Sequence, residues 1–182
     1  LGVSPPVRDI AAVIAKKTKT LLKDGPVPFA MGWALHTGNA WETPNIPTGS
    51  VSLVITSPPF LDIVQYSQDN WLRCWFAGID AQAVKIAHHR TEEAWTAMVH
   101  NVLAEQARIL RPGGHIAFEV GEVRNGKVLL ERLVWAAADG LPFERLGVMI
   151  NDQTFTKTAN CWGVSNGSKG TNTNRIVLLR RN

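Results

Sequence analysis

A run of β-branched and apolar residues that ends in two prolines constrains the fold of this chain more than any other feature. Val51 to Thr56 reads V-S-L-V-I-T, which is typical of a strand buried in a parallel sheet. The chain must leave the sheet at Ser57-Pro58-Pro59, because proline cannot donate a hydrogen bond to a neighbouring strand. Phe60 follows directly. A hydroxyl, a rigid backbone and an aromatic ring are therefore predicted at the carboxyl end of a strand, where open α/β sheets bind their ligands. A Pro-Pro exit from the strand, with the serine as a local cap, is an equal alternative on composition alone.

Predicted helices and strands alternate along the rest of the chain, which favours an α/β sheet that is mostly parallel. Thr91 is a predicted N-cap, and the R-P-G-G turn at 111–114 should end the helix that it starts. The last two strands have no helix between them, so they predict an antiparallel closing pair joined by a polar loop at 156–174. Helices are predicted at 10–22, 71–77, 92–110 and 127–138, and strands at 33–35, 51–56, 115–120, 143–150 and 175–179.

Length and composition indicate one α/β domain at 33–182, preceded by an amphipathic helix and a linker at 1–32. A hydrophobic content of 45% with 19% charged residues excludes wholesale disorder. No apolar run approaches the roughly 18–20 residues of a membrane span, so no membrane partner is expected. The two cysteines, Cys74 and Cys161, indicate neither a disulfide scaffold nor a zinc cage, and a reducing, cytoplasmic setting is expected. Trp71, Trp75 and Trp95 fall in predicted helices and are expected in the core.

Positive charge is concentrated at the two ends of the sequence. The first 23 residues carry five basic side chains and one acid, and residues 153–182 carry five basic side chains and no acid. Such segments favour a phosphate-bearing partner, although a solvated helix face or tail has the same composition.

Residues 50–60, S-V-S-L-V-I-T-S-P-P-F, resemble motif IV of the S-adenosylmethionine-dependent amino-methyltransferases that act on DNA. Residues 38–42, G-N-A-W-E, are similar to the segment that precedes motif IV in that family, and residues 107–121 are similar to its helix, R-P-G-G turn and strand. Residues 174–181 look like its closing strand. The resemblance covers residues 33–182 and implies a Rossmann-like methyltransferase sheet, mostly parallel with an antiparallel closing strand.

The resemblance implies methyl transfer from S-adenosylmethionine to the exocyclic amine of a flipped cytosine (N4) or adenine (N6), and the serine of the motif favours cytosine. The target base must leave the duplex stack before its amine can react. Ser57 and the Pro58 carbonyl would accept hydrogen bonds from that amine, Pro59 would keep the loop rigid, and Phe60 would stack on the base. Such catalysis works by positioning and needs no covalent intermediate, so Cys74 is not interpreted as a nucleophile.

Further site residues follow from the same resemblance. Gly38 and Asn39 are expected to bind the cofactor, with Asn39 standing where the family usually has aspartate. Tyr66 resembles a family position at the mouth of the pocket, although a solvent-facing tyrosine at a helix start is an equal alternative. The polar loop is predicted to contact DNA, with a plain excursion of the chain as the alternative. Its candidate residues are Lys157, Trp162 and Lys169.

The F-x-G-x-G loop that holds the methionine moiety of the cofactor in this family has no counterpart at a predicted strand–helix junction. The predicted strands are also fewer than the family's fold contains, and the sequence starts at Leu1. These observations fit a fragment or one half of a split enzyme, whose glycine loop lies upstream or on a second polypeptide. The alternative is a degenerate homologue that keeps the fold and lacks activity.

Two classes of function remain. The first is a DNA methyltransferase, or the target-base half of one, acting in DNA methylation or restriction-modification. The second is a non-catalytic nucleic-acid-binding domain derived from the same fold, which would use its basic ends. No metal site is predicted, because His88, His89 and His100 lack a recognised ligand spacing.

Overall fold

The structure of this chain is a computed structural model. The chain forms two compact units, Leu1–Thr37 and Gly38–Asn182. The first unit contains helix α1 (Ile10–Leu21), whose N-cap Asp9 accepts a hydrogen bond from the amide of Ala12 at 3.1 Å. None of the described helices is long and apolar enough to cross a membrane. The structure describes residues 9–25, 32–61, 66–124, 126–152 and 173–182.

The second unit begins with an irregular segment and continues as alternating strands and helices. Its elements are β1 (Val51–Thr56), α2 (Tyr66–Asp69), α3 (Trp71–Phe76), α4 (Glu92–Ile109), β2 (Leu110–Val120), β3 (Glu122–Val123), β4 (Val128–Leu129), α5 (Leu130–Ala137), β5 (Phe143–Asp152) and β6 (Thr173–Arg181).

Most of these elements confirm the sequence predictions, and three differ from them. The strand predicted at 33–35 is wrong, since these residues are exposed and pair with no described strand. The helix predicted from residue 127 starts at Leu130, because Val128 and Leu129 first pair with β3. Strand β2 begins at Leu110, five residues before the predicted strand, and so includes the R-P-G-G turn.

Three of the four strands in the main sheet run in the same direction. The strand order is β1-β2-β6-β5, in which β1 and β2 are parallel while β6 is antiparallel to both of its neighbours. The predicted antiparallel pair of β5 and β6 is confirmed. The last strand nevertheless lies between β2 and β5 and does not close the edge of the sheet, so only one of the three strand pairs is parallel.

The hydrophobic core lies between one face of this sheet and the helices α4 and α5. Trp95, Val99 and Leu103 on α4 pack with Leu130 and Val134 on α5 in one buried cluster. The sheet residues of this cluster alternate along their strands, as expected when one face is buried and side chains point to opposite faces in turn. They are Ile116, Phe118 and Val120 on β2 and Val177 and Leu179 on β6.

The opposite face of the sheet is open and partly apolar. The register places Leu53 beside His115 and Ile55 beside Ala117, so these residues share the face away from the core. Leu53 is 54% exposed and Ile55 is 76% exposed. Met149 on β5 lies on the same face and is also more than half exposed.

Candidate active site at the carboxyl end of β1

The S-P-P-F segment leaves the sheet directly after β1, as the two prolines predicted. The side chain of Ser57 is exposed, and those of Pro58, Pro59 and Phe60 are partly buried. Phe60 packs against the hydrophobic core, and the next residue, Leu61, is completely buried. The segment is therefore anchored at its far end, while Ser57 at its start is exposed.

A tryptophan of α4 holds the middle of this segment. The indole Nε1 of Trp95 donates a hydrogen bond to the carbonyl oxygen of Pro59 at 2.8 Å. Trp95 is fully buried, as predicted, whereas Trp71 and Trp75 are exposed and their assignment to the core is wrong. The short helix α3 carries no buried residue in the described structure, which explains why its tryptophans remain accessible.

A partly buried ion-pair network lies at the same edge of the sheet. Because β6 runs opposite to β2, its first residues lie beside the carboxyl end of β2. Arg175 on β6 donates to Glu131 at 2.6 Å and to Glu122 at 3.2 Å. One arginine thus joins helix α5 to the residues that follow β2.

The segment predicted to bind the cofactor is attached to the other end of α4. Gly38 and Asn39 are exposed, and the carbonyl of the next residue, Ala40, accepts a hydrogen bond from Gln106 at 3.0 Å. Gln106 follows Trp95 by eleven residues, which corresponds to about 16 Å along the helix axis. The structure therefore does not bring this segment against the S-P-P-F segment, but attaches both to one helix.

Glu105 is the centre of the contacts that hold the segment before β1. Its carboxylate accepts hydrogen bonds from the backbone amide and the hydroxyl of Thr43, at 2.7 and 2.6 Å, and pairs with Arg108 at 2.7 Å. Arg108 also donates to the carbonyls of Thr43 and Ile46. The Arg108 hydrogen bond, and then those from Thr43, outweigh desolvation and lower the pKa of Glu105 from 4.5 to about 2.

The remaining predicted site residues are only partly covered by the structure. Tyr66 starts helix α2 a few residues after the S-P-P-F segment. Lys157, Trp162 and Lys169 lie outside the described residues. His100 contacts the carbonyl of Ala137 through Nδ1 at 2.8 Å. Within the described ranges, no group of three or more His, Cys, Asp or Glu side chains could hold a metal ion.

Sequence reasoning did not find the roles of Trp95, Glu105 and Arg108. Trp95 could be assigned only to the core, because a buried indole has the same sequence pattern whether or not its N–H has a partner. Glu105 and Arg108 are ordinary polar positions on an amphipathic helix. They pair with each other, but their contacts with Thr43 span more than 60 residues, so no local pattern marks the segment that they hold.

Comparison with solved structures identifies the fold. The PvuII DNA methyltransferase, which is cytosine-N4-specific, matches 81% of this chain with a TM-score of 0.52 and 14% sequence identity. The chain has the fold of a DNA methyltransferase. This confirms, at the level of the fold, the resemblance that residues 50–60 and 107–121 predicted.

Other solved structures match this chain with lower TM-scores. TTHA0409 of Thermus thermophilus, assigned as a DNA modification methylase, matches 80% of the chain at 23% identity with a TM-score of 0.49. Its complex with S-adenosyl-L-methionine matches 80% of the chain at 22% identity with a TM-score of 0.48. No family model and no curated protein matches the chain. The chain spans about half the length of the structures that it matches, covering 48% of the PvuII enzyme and 52% of the Thermus protein.

Proposed function

We propose that this chain is a DNA methyltransferase, or the target-base half of one, that modifies the exocyclic amine of a flipped cytosine at N4, with adenine N6 as the second possible target. The observation that carries the proposal is the S-P-P-F segment, which places an exposed serine hydroxyl at the carboxyl end of β1 in a fold shared with a cytosine-N4-specific enzyme. Ligands of open α/β sheets bind at this edge. Ser57 rather than an acidic residue in the motif supports cytosine.

In the proposed mechanism the S-P-P-F segment positions the amine of the target base. The Ser57 hydroxyl and the Pro58 carbonyl accept hydrogen bonds from the amine, so that its lone pair points away from them. Phe60, which is partly buried and therefore held in place, offers the remaining face of its ring to the flipped base. The rate enhancement comes from orientation and from oriented hydrogen-bond acceptors.

S-adenosylmethionine would supply an electrophilic methyl group on its sulfonium. Among the described residues, Asn39 is the one proposed to bind this cofactor. Its side-chain amide can donate a hydrogen bond to an adenine ring and accept one from it. A segment or a second polypeptide that carries the glycine-rich loop belongs to this proposal. The chain itself spans 48% of the length of the PvuII enzyme.

A substitution at the motif tests the mechanism. Ser57→Ala is expected to lower methyl transfer from radiolabelled S-adenosylmethionine to plasmid DNA by about a hundredfold, the usual effect of removing one positioned polar group. Phe60→Ala should reduce transfer similarly, because the base loses its stacking partner. DNA affinity should change little in both variants. Ser52→Ala, an exposed serine near the start of β1, is the matched control. Equal transfer by wild type and the Ser57 variant would refute the mechanism.

A calorimetric titration of S-adenosylmethionine into the 182-residue chain tests the cofactor part of the proposal. Micromolar binding would show that these residues contain a working cofactor site. No detectable heat would show that these residues alone do not form a cofactor site, and would leave the second candidate function below as the alternative.

A second candidate function is non-catalytic nucleic-acid binding, favoured by the five basic and no acidic side chains of residues 153–182. Under this alternative, Ser57→Ala has no effect. Replacing Lys157 and Lys169 with alanine should instead reduce the dependence of DNA binding on salt concentration, since fewer counterions are released.

A further inference from the structure

The S-P-P-F segment needs a hydrogen-bond donor from outside itself. Pro58 and Pro59 have no amide hydrogen, so this stretch of backbone cannot be fixed by donating to a neighbouring strand. The two prolines can therefore be held by hydrogen bonds only through their carbonyl oxygens, as acceptors. The only donor of a tryptophan side chain is its indole N–H, and a buried indole must place that hydrogen on an acceptor.

Trp95 supplies a donor to the proline pair, and the proline pair supplies an acceptor to the buried indole N–H. Its indole N–H donates to the Pro59 carbonyl at 2.8 Å, and its side chain is completely enclosed by the core. A buried side chain keeps one rotamer, so the position of the N–H is set by the packing around the ring. The Pro59 carbonyl therefore has a fixed partner.

The helix end that carries Trp95 is itself secured by other contacts. Thr91, the N-cap of α4, accepts a hydrogen bond from the amide of Ala94 at 3.2 Å. Glu92 in the first turn pairs with Arg124 at 3.3 Å. The anchor of the S-P-P-F segment thus belongs to a capped helix start rather than to a loop.

We infer that Trp95 is a positioning residue that holds the S-P-P-F segment through the Pro59 carbonyl, so that the Ser57 hydroxyl and the Pro58 carbonyl face the target amine in a fixed geometry. This inference rests on the proposed function and extends it to a residue that does not touch the substrate. Misplacing catalytic groups by about 1 Å can cost up to a hundredfold in rate, so loss of the anchor acts on the chemical step.

The test compares Trp95→Phe, which keeps an aromatic ring and removes the N–H, with Trp135→Phe. Trp135 is partly buried on α5 and lies under the guanidinium of Arg145, 5.7 Å from its ring centre, outside the site. Trp95→Phe is expected to lower kcat at least tenfold on plasmid DNA while the KM for DNA changes less than twofold. Trp135→Phe should keep the wild-type kcat, even if both variants lose similar thermal stability.

Two further measurements test the inference where kcat cannot be compared. This is the case if Trp95→Phe does not fold, or if the chain is only the target-base half of the proposed methyltransferase. In wild-type protein, the Trp95 indole N–H should exchange slowly with solvent in an NMR experiment, and fast exchange would overturn the inference. Wild type should also increase the fluorescence of 2-aminopurine placed opposite an abasic site in a duplex, with Trp95→Phe giving at most half of that increase.

The outcomes separate the inference from the function on which it rests. An active wild type with an unchanged kcat in Trp95→Phe overturns the inference alone. A wild type that neither methylates DNA nor captures the extrahelical base overturns the proposed function and the inference with it.

Discussion

Glu105 links Thr43, in the segment before β1, to the core helix α4, and its charge contributes to stability. Its side chain is 13% exposed and holds Thr43 and Arg108 together. Because these partners bind the ionised form, the pKa of the carboxyl is lowered to about 2. A lowered pKa in the folded state means that protonation costs more in the folded chain than in the unfolded chain.

The stability that Glu105 provides is therefore complete above its unfolded pKa of 4.5 and is lost as the pH falls towards 2. Glu105→Gln should lower the free energy of unfolding at pH 7 by about 2 kcal/mol, the usual size of hydrogen bonds to a charged group. The difference from wild type should shrink between pH 4.5 and pH 2. Urea denaturation at several pH values measures this, with the exposed Glu42→Gln as control. A difference that stays constant down to pH 2 would contradict the assignment.

At the scale of elements, the R-P-G-G turn lies at the start of β2, directly after α4, and leaves almost no space for a side chain at Gly114. A Cβ on Gly114 would lie 2.9 Å from the carbonyl oxygen of Arg111 and 3.2 Å from that of Val51. Both are backbone atoms and cannot move away without shifting β1 or the turn. Glycine at this position therefore allows β2 to start directly after the helix and to pair with β1.

Gly114→Ala is expected to destabilise the fold by about 1–3 kcal/mol through this overlap, a typical cost of overpacking. Gly38→Ala is the matched control, because nothing lies within 4 Å of a Cβ at that position. Chemical denaturation of both variants measures the difference. Equal stability of the two would show that the turn has room for a side chain.

Local sequence patterns predicted some of these helices and strands and not others. The β-branched run of β1 and the capped helix α4 agree with the sequence analysis, because each is specified by residues within itself. The strand predicted at 33–35 fails, because a strand needs a partner and none of the described strands pairs with it. Strand β2 extends through the R-P-G-G turn because Leu110 pairs with Val51, a contact between distant residues.

At the scale of the whole molecule, the sheet has one covered face and one open face. Helices α4 and α5 cover the face with Ile116 and Val177, while Leu53 and Ile55 remain more than half exposed on the other. An α/β sheet ordinarily carries helices on both faces. The apolar residues of the open face should therefore bind hydrophobic dyes and promote association of the isolated chain.

The double substitution Leu53→Lys with Ile55→Lys should lower the binding of the dye ANS and reduce concentration-dependent association in sedimentation experiments. Its free energy of unfolding should change by about 0.5 kcal/mol or less, as is usual for exposed positions. Ile116→Lys is the control on the covered face, where Ile116 is buried, and it should prevent folding because an unpaired charge would enter the core. Unchanged dye binding in the double variant would show that the open face is not the apolar surface.

The sequence by itself determined the class of fold and the place where the chain leaves β1. A β-branched strand that ends in two prolines, and a capped helix followed by R-P-G-G, depend on backbone rules that act within a few residues. Only the tertiary structure decided that the last strand lies inside the sheet, that Trp95 holds the Pro59 carbonyl, and that Glu105 and Arg108 hold the segment before β1. These features join residues that are far apart in the chain. They depend on how the core packs, and a local sequence pattern does not predict that packing.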